Sequence, residues 1–318
     1  MSEVLDIAKI EVPTVDPLYF PMGNADDYRD ILKAHTFLPF YISGPSGTGK
    51  TYSLLQEAAK LGREVLRVNM TGETDESDLI GSFRLLNGET VYSEGPIIQA
   101  MRRGCVLLLD EVDLANPARI MCLQSILEGS PYFNKKTKEM IYPADGFTIV
   151  ATANTKGRGD DRAKFISANV HNEAFLERFA ITFDQDYTDE ETEKKLLSKL
   201  AEALGLNLSA DQEYVDALVD WANEIRKQYM DANLDDVIST RRLVHILRTY
   251  SVFHDRDKAI NYCINRFDSE IKDAFLHLWN LKKPGAPDIQ ENRIEDKEVF
   301  DLDNGEDPFD WLANKKAP

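Results

Sequence analysis

One eight-residue run limits the folds open to this chain more than any other: Gly44-Pro45-Ser46-Gly47-Thr48-Gly49-Lys50-Thr51. It fills every fixed position of G-x-x-x-x-G-K-[ST], a loop whose backbone N–H groups converge on phosphates. Lys50 is long enough to reach the outer phosphates of a triphosphate, and the Thr51 hydroxyl is a ligand for Mg²⁺. Tyr52 follows directly and is counted with the loop as a ligand-contacting position. Such a loop needs a strand before it and a helix after it, with the positive helix end aimed at the anion. Phe37 to Ser43 is a short apolar run suited to a buried strand, and Leu54, Leu55, Ala58 and Leu61 form one helical face that Gly62 stops. A glycine-rich surface turn is the bland alternative, and these flanks argue against it.

Residues 36–185 alternate strand-like and helix-like runs. The strand candidates are 37–43, 63–69, 105–110, 146–154 and 179–183. This alternation predicts the α/β class, with a parallel sheet sandwiched by helices. The run 105–110 (CVLLLD) is continuously apolar, as a strand buried on both faces should be. Two hairpins interrupt the plan: 82–93, with Asn87-Gly88 at its turn, and 132–142, with Lys135, Lys136 and Lys138 at its tip. Residues 1–35 read as a lead-in with one short helix over Ala25 to His35. From residue 186 to 282 the periodicity becomes helical, a small all-α domain of four to five helices. Thr188-x-x-Glu191 and Ser209-x-x-Gln212 read as the caps of its first two. Residues 283–318 form an acidic tail, with ten acidic and four basic residues from 284 on and the late aromatics Phe309 and Trp311. A solubilising tail and a docking segment fit it equally.

A second cluster of chemistry lies at 106–114 (VLLLDEVDL). It places Asp110 and Glu111 at the C-terminal edge of a central strand, where open α/β sheets bind ligands. Beside Thr51, Asp110 is positioned to hold Mg²⁺, and Glu111 to polarise a water that attacks the γ-phosphate. Favourable acids at a helix start are the alternative. Asn116-Pro117 then reads as a cap and first turn of a helix ending at Gly129. Asn154 closes the strand IVATAN, where its amide could orient the same water; alone, an Asn there more often caps a turn. Arg178 (NEAFLERF) and Arg241 (STRRL) are two further cations, and a guanidinium on the γ-phosphate accelerates phosphoryl transfer. By position alone each is more often a surface ion pair.

Composition excludes some functions. The chain of 318 residues carries a formal net charge of −18, so its general surface repels nucleic acid, and only a local patch such as Lys135–Lys138 could bind it. No apolar run is long enough to span a bilayer, so no membrane partner is expected. The N-terminus lacks a basic-then-apolar leader pattern, and three widely spaced cysteines predict reduced thiols in a cytoplasmic compartment. No C-x-x-C zinc pattern is present.

The order GPSGTGKT, LLLDEVD, TAN, FLERF and a later STR resembles the AAA+ ATPases among P-loop NTPases. RVNMTGETDESDLIGSFRL with EGPIIQAMRRG, and ATANTKGRGD with NEAFLERF, resemble the MoxR and CobS-like branch, named for a cobaltochelatase motor subunit and also found in large tailed phages. The resemblance spans about residues 10–250. It implies an ATPase (ATP and water to ADP and phosphate) using ATP and Mg²⁺. It assigns Lys50 and Thr51 to Walker A, Asp110 and Glu111 to Walker B, and Asn154 to sensor 1. Arg178 falls on the arginine finger, acting in trans, and Arg241 on sensor 2 in a helical lid, acting in cis. Arg158 and Arg162 lie in a loop that competes with Arg178 for the finger role. The resemblance also implies a homo-oligomeric ring, usually a hexamer, with both hairpins facing its pore. The localisation implied is the cytoplasm, or the host cytoplasm for a phage-encoded chain. Related chelatases work with a von Willebrand A domain protein. One departure stands out: the branch more often reads S-P-R at sensor 2, and Thr240 replaces the proline, which should loosen that helix start. No metal-coordinating or tetrapyrrole-binding pattern accompanies the motifs. The expectation is an ATP-driven ring motor acting on a partner protein. The alternatives are a nucleotide-dependent assembly platform with little turnover and a nucleic-acid-stimulated motor.

Overall fold

A computed structural model describes residues 10–155 and 173–285. Arg158, Arg162 and the tail aromatics Phe309 and Trp311 lie outside these residues. In chain order the first part contains α1 (Ala25–Ala34), β1 (Phe40–Ser43), α2 (Lys50–Lys60), β2 (Val65–Asn69), α3 (Glu76–Ile80), β3 (Gly81–Leu86), β4 (Glu89–Glu94), α4 (Pro96–Arg103) and β5 (Val106–Asp110). It continues through α5 (Leu123–Leu127), β6 (Tyr132–Asn134), β7 (Glu139–Ile141), β8 (Thr148–Ala153), α6 (Glu173–Leu176) and β9 (Ile181–Asp184). Five strands form one parallel sheet in the order β2-β5-β8-β1-β9.

The continuous apolar run of β5 is explained by two cores, one on each face of the sheet. Leu107 and Leu109 enter the core built with α3, α4 and α5, while Val106 and Leu108 enter the one built with α1 and α2. β1 and β8 divide in the same way, with Tyr41, Ile149 and Ala151 on one side and Phe40, Ile42 and Val150 on the other. Successive strand side chains point to opposite faces, so a strand covered on both must be apolar throughout. The lead-in is fastened alongside: Glu11 bridges Val65, the Tyr52 hydroxyl donates to Asp16 Oδ2 at 2.6 Å, and Asp16 N donates to Gln56.

Both hairpins form as the sequence predicts. Asn87 and Gly88 have φ of 51° and 86°, the pair of positive values that a two-residue primed turn requires. The β6–β7 hairpin leans on its neighbour, Asn134 Nδ2 donating to the Tyr92 hydroxyl and Lys136 Nζ to Gly81 O at 2.7 Å. Lys136 is thereby tied to neutral acceptors and keeps its positive charge beside Lys135 and Lys138. One helix starts later than expected. From Asn116 onward the bonds run i to i+3 (Arg119 N to Asn116 O, Leu123 N to Ile120 O), so the chain forms turns and α5 begins only at Leu123. Asn116 caps a turn by accepting from Ala118 N.

Five helices follow β9: α7 (Glu190–Ala203), α8 (Leu208–Met230), α9 (Thr240–Phe253), α10 (Arg256–Ile264) and α11 (Ser269–Lys282). Their core centres on Trp221, Trp279, Tyr214 and Phe275, in edge-to-face contacts such as Trp221–Trp279 at 5.7 Å. Two expected caps move by a residue or two. Asp189 caps α7 by accepting from Thr192 N, and Asn207 caps α8 by accepting from Ser209 N, so Thr188 and Ser209 are not the caps. At α7 the stronger capper Asp189 displaces Thr188, while at α8 Asn207 and Ser209 are comparable cappers and the helix starts at the earlier one. Among the described residues, no helix is long and apolar enough to cross a membrane.

The start of α9 is firmly held, contrary to the expectation that Thr240 loosens it. Ser239 caps the helix, accepting from Arg242 N, and the Thr240 hydroxyl donates to Glu193 Oε1 at 2.6 Å. Glu193 is fully buried and takes a two-pronged ion pair from Arg226, at 2.7 and 2.9 Å. Arg226 Nε donates to Ile238 O, just before the helix. A hydroxyl that reaches a buried carboxylate thus does the work of a ring-locked φ. Glu193→Ala leaves Arg226 buried without its counter-charge and is expected to cost about 3–5 kcal/mol in urea unfolding. Removal of the exposed Glu191–Lys195 pair should cost at most about 1 kcal/mol in the same assay.

Candidate nucleotide-binding cleft

The C-terminal ends of β1, β5 and β8 open into a cleft of about 370 Å³, within the range of small-molecule sites. Its lining includes Ser46, Gly47, Gly49, Lys50, Thr51 and Tyr52 from the glycine-rich loop, Asp110 and Glu111 after β5, Asn154 after β8, and Arg241 from α9. The sheet and the helical unit both contribute to it.

The loop keeps its shape because its glycines occupy conformations and spaces closed to other residues. Gly44 lies so close to Gln185 that a Cβ would come within 2.0 Å of its carbonyl oxygen. Gly47, at φ +83°, presses on Ser239 at the start of α9, where a Cβ would lie 2.7 Å from the serine. Gln185 also donates its amide to Thr48 O at 2.9 Å while accepting from the Tyr28 hydroxyl. Thr48 Oγ1 donates to Pro45 O at 3.0 Å, closing the turn from inside.

Lys50 opens α2 and is 7% exposed. Its ammonium donates to Gly44 O at 2.6 Å, Pro45 O at 2.9 Å and Asn154 Oδ1 at 3.2 Å. None of these partners carries a negative charge. Burial, with the nearby Arg241 cation adding to it, pushes its pKa down to about 8, against the pull of Asp113, Asp110 and Glu111. A buried cation held by neutral oxygens at the mouth of a glycine cradle is what a phosphate group would satisfy.

Asp110 is held from two sides. Its Oδ1 accepts from Thr51 Oγ1 at 2.7 Å and from Thr152 Oγ1, and its Oδ2 pairs with Arg67 of β2. Among the described residues no group of three or more His, Cys, Asp or Glu could hold a metal. One buried carboxylate beside a hydroxyl suits Mg²⁺, which keeps waters and takes substrate phosphates as further ligands. Glu111 follows with φ 58° and ψ 45°, a left-handed conformation costly for a residue with a Cβ. Its N–H donates to Thr152 Oγ1 at 3.2 Å, so the hydroxyl that holds Asp110 also fixes the turn carrying Glu111. Asp113 supports Asn154: Oδ2 accepts from Asn154 N at 3.0 Å and from Thr155 N and Oγ1.

Sequence patterns find the loop, Asp110, Glu111, Asn154 and Arg241, and the structure brings all of them to one cleft. They miss Arg67, Asp113, Thr152 and Gln185. Asp113 is visible as an extra acid in LLLDEVDL; the other three leave no local signal, since their partners are 41 to 157 residues away. Arg178 does not line this cleft. Its Nε donates to Glu128 Oε1 at 2.9 Å and its Nη1 to Ala174 O.

Comparison with known proteins agrees with the cleft. The profile described as AAA domain (dynein-related subfamily) matches residues 39–179, and that described as CbbQ/NirQ/NorQ C-terminal matches residues 200–277. Aerobic cobaltochelatase subunit CobS of a Sinorhizobium species is 26% identical over 219 residues, 67% of this chain and 65% of that protein. Protein NorQ of Paracoccus denitrificans is 34% identical over 139 residues, 43% of this chain and 51% of NorQ. Midasin of Giardia intestinalis is 25% identical over 218 residues, 68% of this chain and 4% of that protein. The chain spans less than two thirds of each of these relatives. With the two matched domains in tandem and the glycine loop, Asp110-Glu111 and Asn154 around one cleft, it belongs to the AAA+ ATPases, in their MoxR/CobS-like branch.

Proposed function

We propose that this chain binds and hydrolyses ATP, and that it works as a ring, taken as a hexamer, whose turnover remodels or activates a partner protein. The observation that carries the reading is the convergence of Lys50, Thr51, Asp110, Glu111, Asn154 and Arg241 on one cleft. In this reading the loop amides and Lys50 hold the triphosphate. Thr51 and Asp110 would hold Mg²⁺, which would supply positive charge to offset the charge on the phosphates. Glu111 accepts a proton from the attacking water, and the Asn154 side chain orients it. Arg241 reaches the phosphates from the helical unit, so nucleotide contact couples α9 to the loop through Ser239 and Gly47.

Arg178 is assigned to the cleft of a neighbouring copy. What supports this is its position outside its own cleft together with its location at the end of a short helix beside the sheet. The name of one relative, a cobaltochelatase subunit, supports a partner, and a von Willebrand A domain protein is the candidate here. The net charge of −18 disfavours a nucleic-acid track. A pure assembly platform has no use for Glu111.

Glu111→Gln is expected to keep ATP affinity and to lose about 10²–10⁴-fold in turnover, measured by phosphate release. Unchanged turnover would refute hydrolysis at this site, and wild-type protein that binds ATP without turnover would favour the platform. The depressed Lys50 gives a second test. Phosphate contact raises its pKa, so binding takes up a proton above pH 8. ATP affinity should therefore be constant below about pH 8 and fall as pH rises beyond it, and Lys50→Met should remove that pH dependence while weakening binding.

A further inference from the structure

Arg67 sits on β2, an edge strand of the sheet, yet it lines the cleft. In the parallel ladder Arg67 pairs with Leu108 and Asn69 with Asp110, which puts Arg67 and Asp110 on the same face, two residues apart along adjacent strands. The guanidinium spans that gap and its Nη2 binds Asp110 Oδ2. The other carboxylate oxygen is already taken by the Thr51 and Thr152 hydroxyls. The Asp110 side chain is 6% exposed and that of Arg67 48%. A carboxylate this buried requires a counter-charge, and Arg67 supplies it from a position open to the cleft.

The same carboxylate is the one that the reading above gives to Mg²⁺. It carries one negative charge, so a metal ion and Arg67 compete for it. The chain by itself offers a divalent ion few anionic ligands here, whereas a guanidinium released from Asp110 would face the phosphates, to which its fork is well matched. We propose that Arg67 is a cation placeholder: it neutralises Asp110 while the cleft is empty, yields that carboxylate when a metal–nucleotide complex enters, and then pairs with the phosphates. The swap makes metal binding conditional on nucleotide. Free divalent ions meet a tethered competitor, while the metal–nucleotide complex brings a replacement anion for Arg67. This inference rests on the ATP-binding reading above.

Mn²⁺ binding followed by electron paramagnetic resonance tests it, on nucleotide-free protein and with a non-hydrolysable ATP analogue. Wild type is expected to bind free Mn²⁺ weakly, and Arg67→Gln about tenfold more tightly or better, because the competitor is gone. With the analogue present the order reverses: Arg67→Gln should bind the Mn²⁺–analogue complex about tenfold more weakly than wild type. Arg67→Lys, which keeps the charge without the fork, should stay close to wild type for free Mn²⁺ and lose affinity for the complex; it also carries the test if the glutamine variant does not fold. Equal free-Mn²⁺ affinity in wild type and Arg67→Gln would overturn the proposal, as would unchanged affinity of both variants for the complex. Failure of the wild type to bind the Mn²⁺–analogue complex at all would instead refute the ATP-binding reading, so the two failures are distinct.

Discussion

The register of β1, β5 and β8 is the constraint on which the cleft depends. Ser43 pairs with Ala153, and Leu109 with Ala151, so the three strands end at nearly one level. The glycine loop, the Asp110-Glu111 turn and Asn154 leave the sheet from those ends. A one-residue slip in any of these strands would move its terminal residue out of reach and exchange the side chains packed in the two cores. The slip is opposed by side-chain fit: Leu107, Leu109, Ile149 and Ala151 pack in one core, and Val106, Leu108 and Val150 in the other. The packing that folds the sheet therefore also sets the geometry of the chemistry.

A second layer of polar contacts turns those strand ends into a rigid site. Thr152 bonds both Asp110 and the backbone of Glu111, Asp113 holds the Asn154 turn, and Gln185 closes the loop from the edge of the sheet. The helical unit is joined to the same place. Ser239 touches Gly47, and Arg241, in the first turn of α9, reaches the cleft. Glu193, Arg226 and Thr240 fix that helix start from within the helical core. A change in the cleft thus has a short route to the five helices, through Gly47 against Ser239 and through Arg241.

Much of this was legible in the sequence because it is local. The glycine loop, the apolar run ending in Asp110-Glu111, and Asn87-Gly88 each state their geometry within a few residues. What could not be read depends on distant partners. Arg67 looks like a polar interruption of an edge strand until its contact with Asp110, 43 residues away, is seen. Thr240 looks like the loss of a helix-starting proline until Glu193 is found beneath it. The caps of α7 and α8 were misplaced by one or two residues because neighbouring Asp, Asn, Ser and Thr compete for the same role. The start of α5 was misread because Asn116-Pro117 serves a run of turns as well as it serves a helix.

The central claim is that each cleft is hydrolytic and is completed by Arg178 of a neighbouring copy. Mixing two inactive variants tests it most directly. Arg178→Ala keeps Glu111 but cannot assist its neighbour, whereas Glu111→Gln keeps Arg178 but cannot hydrolyse. Mixed at equal amounts, about a quarter of the interfaces pair an intact Glu111 with an intact Arg178. The account predicts that ATP turnover, absent from either variant alone, returns to about that fraction of wild type. A mixture as inactive as its components, from variants that bind ATP and assemble, would contradict it.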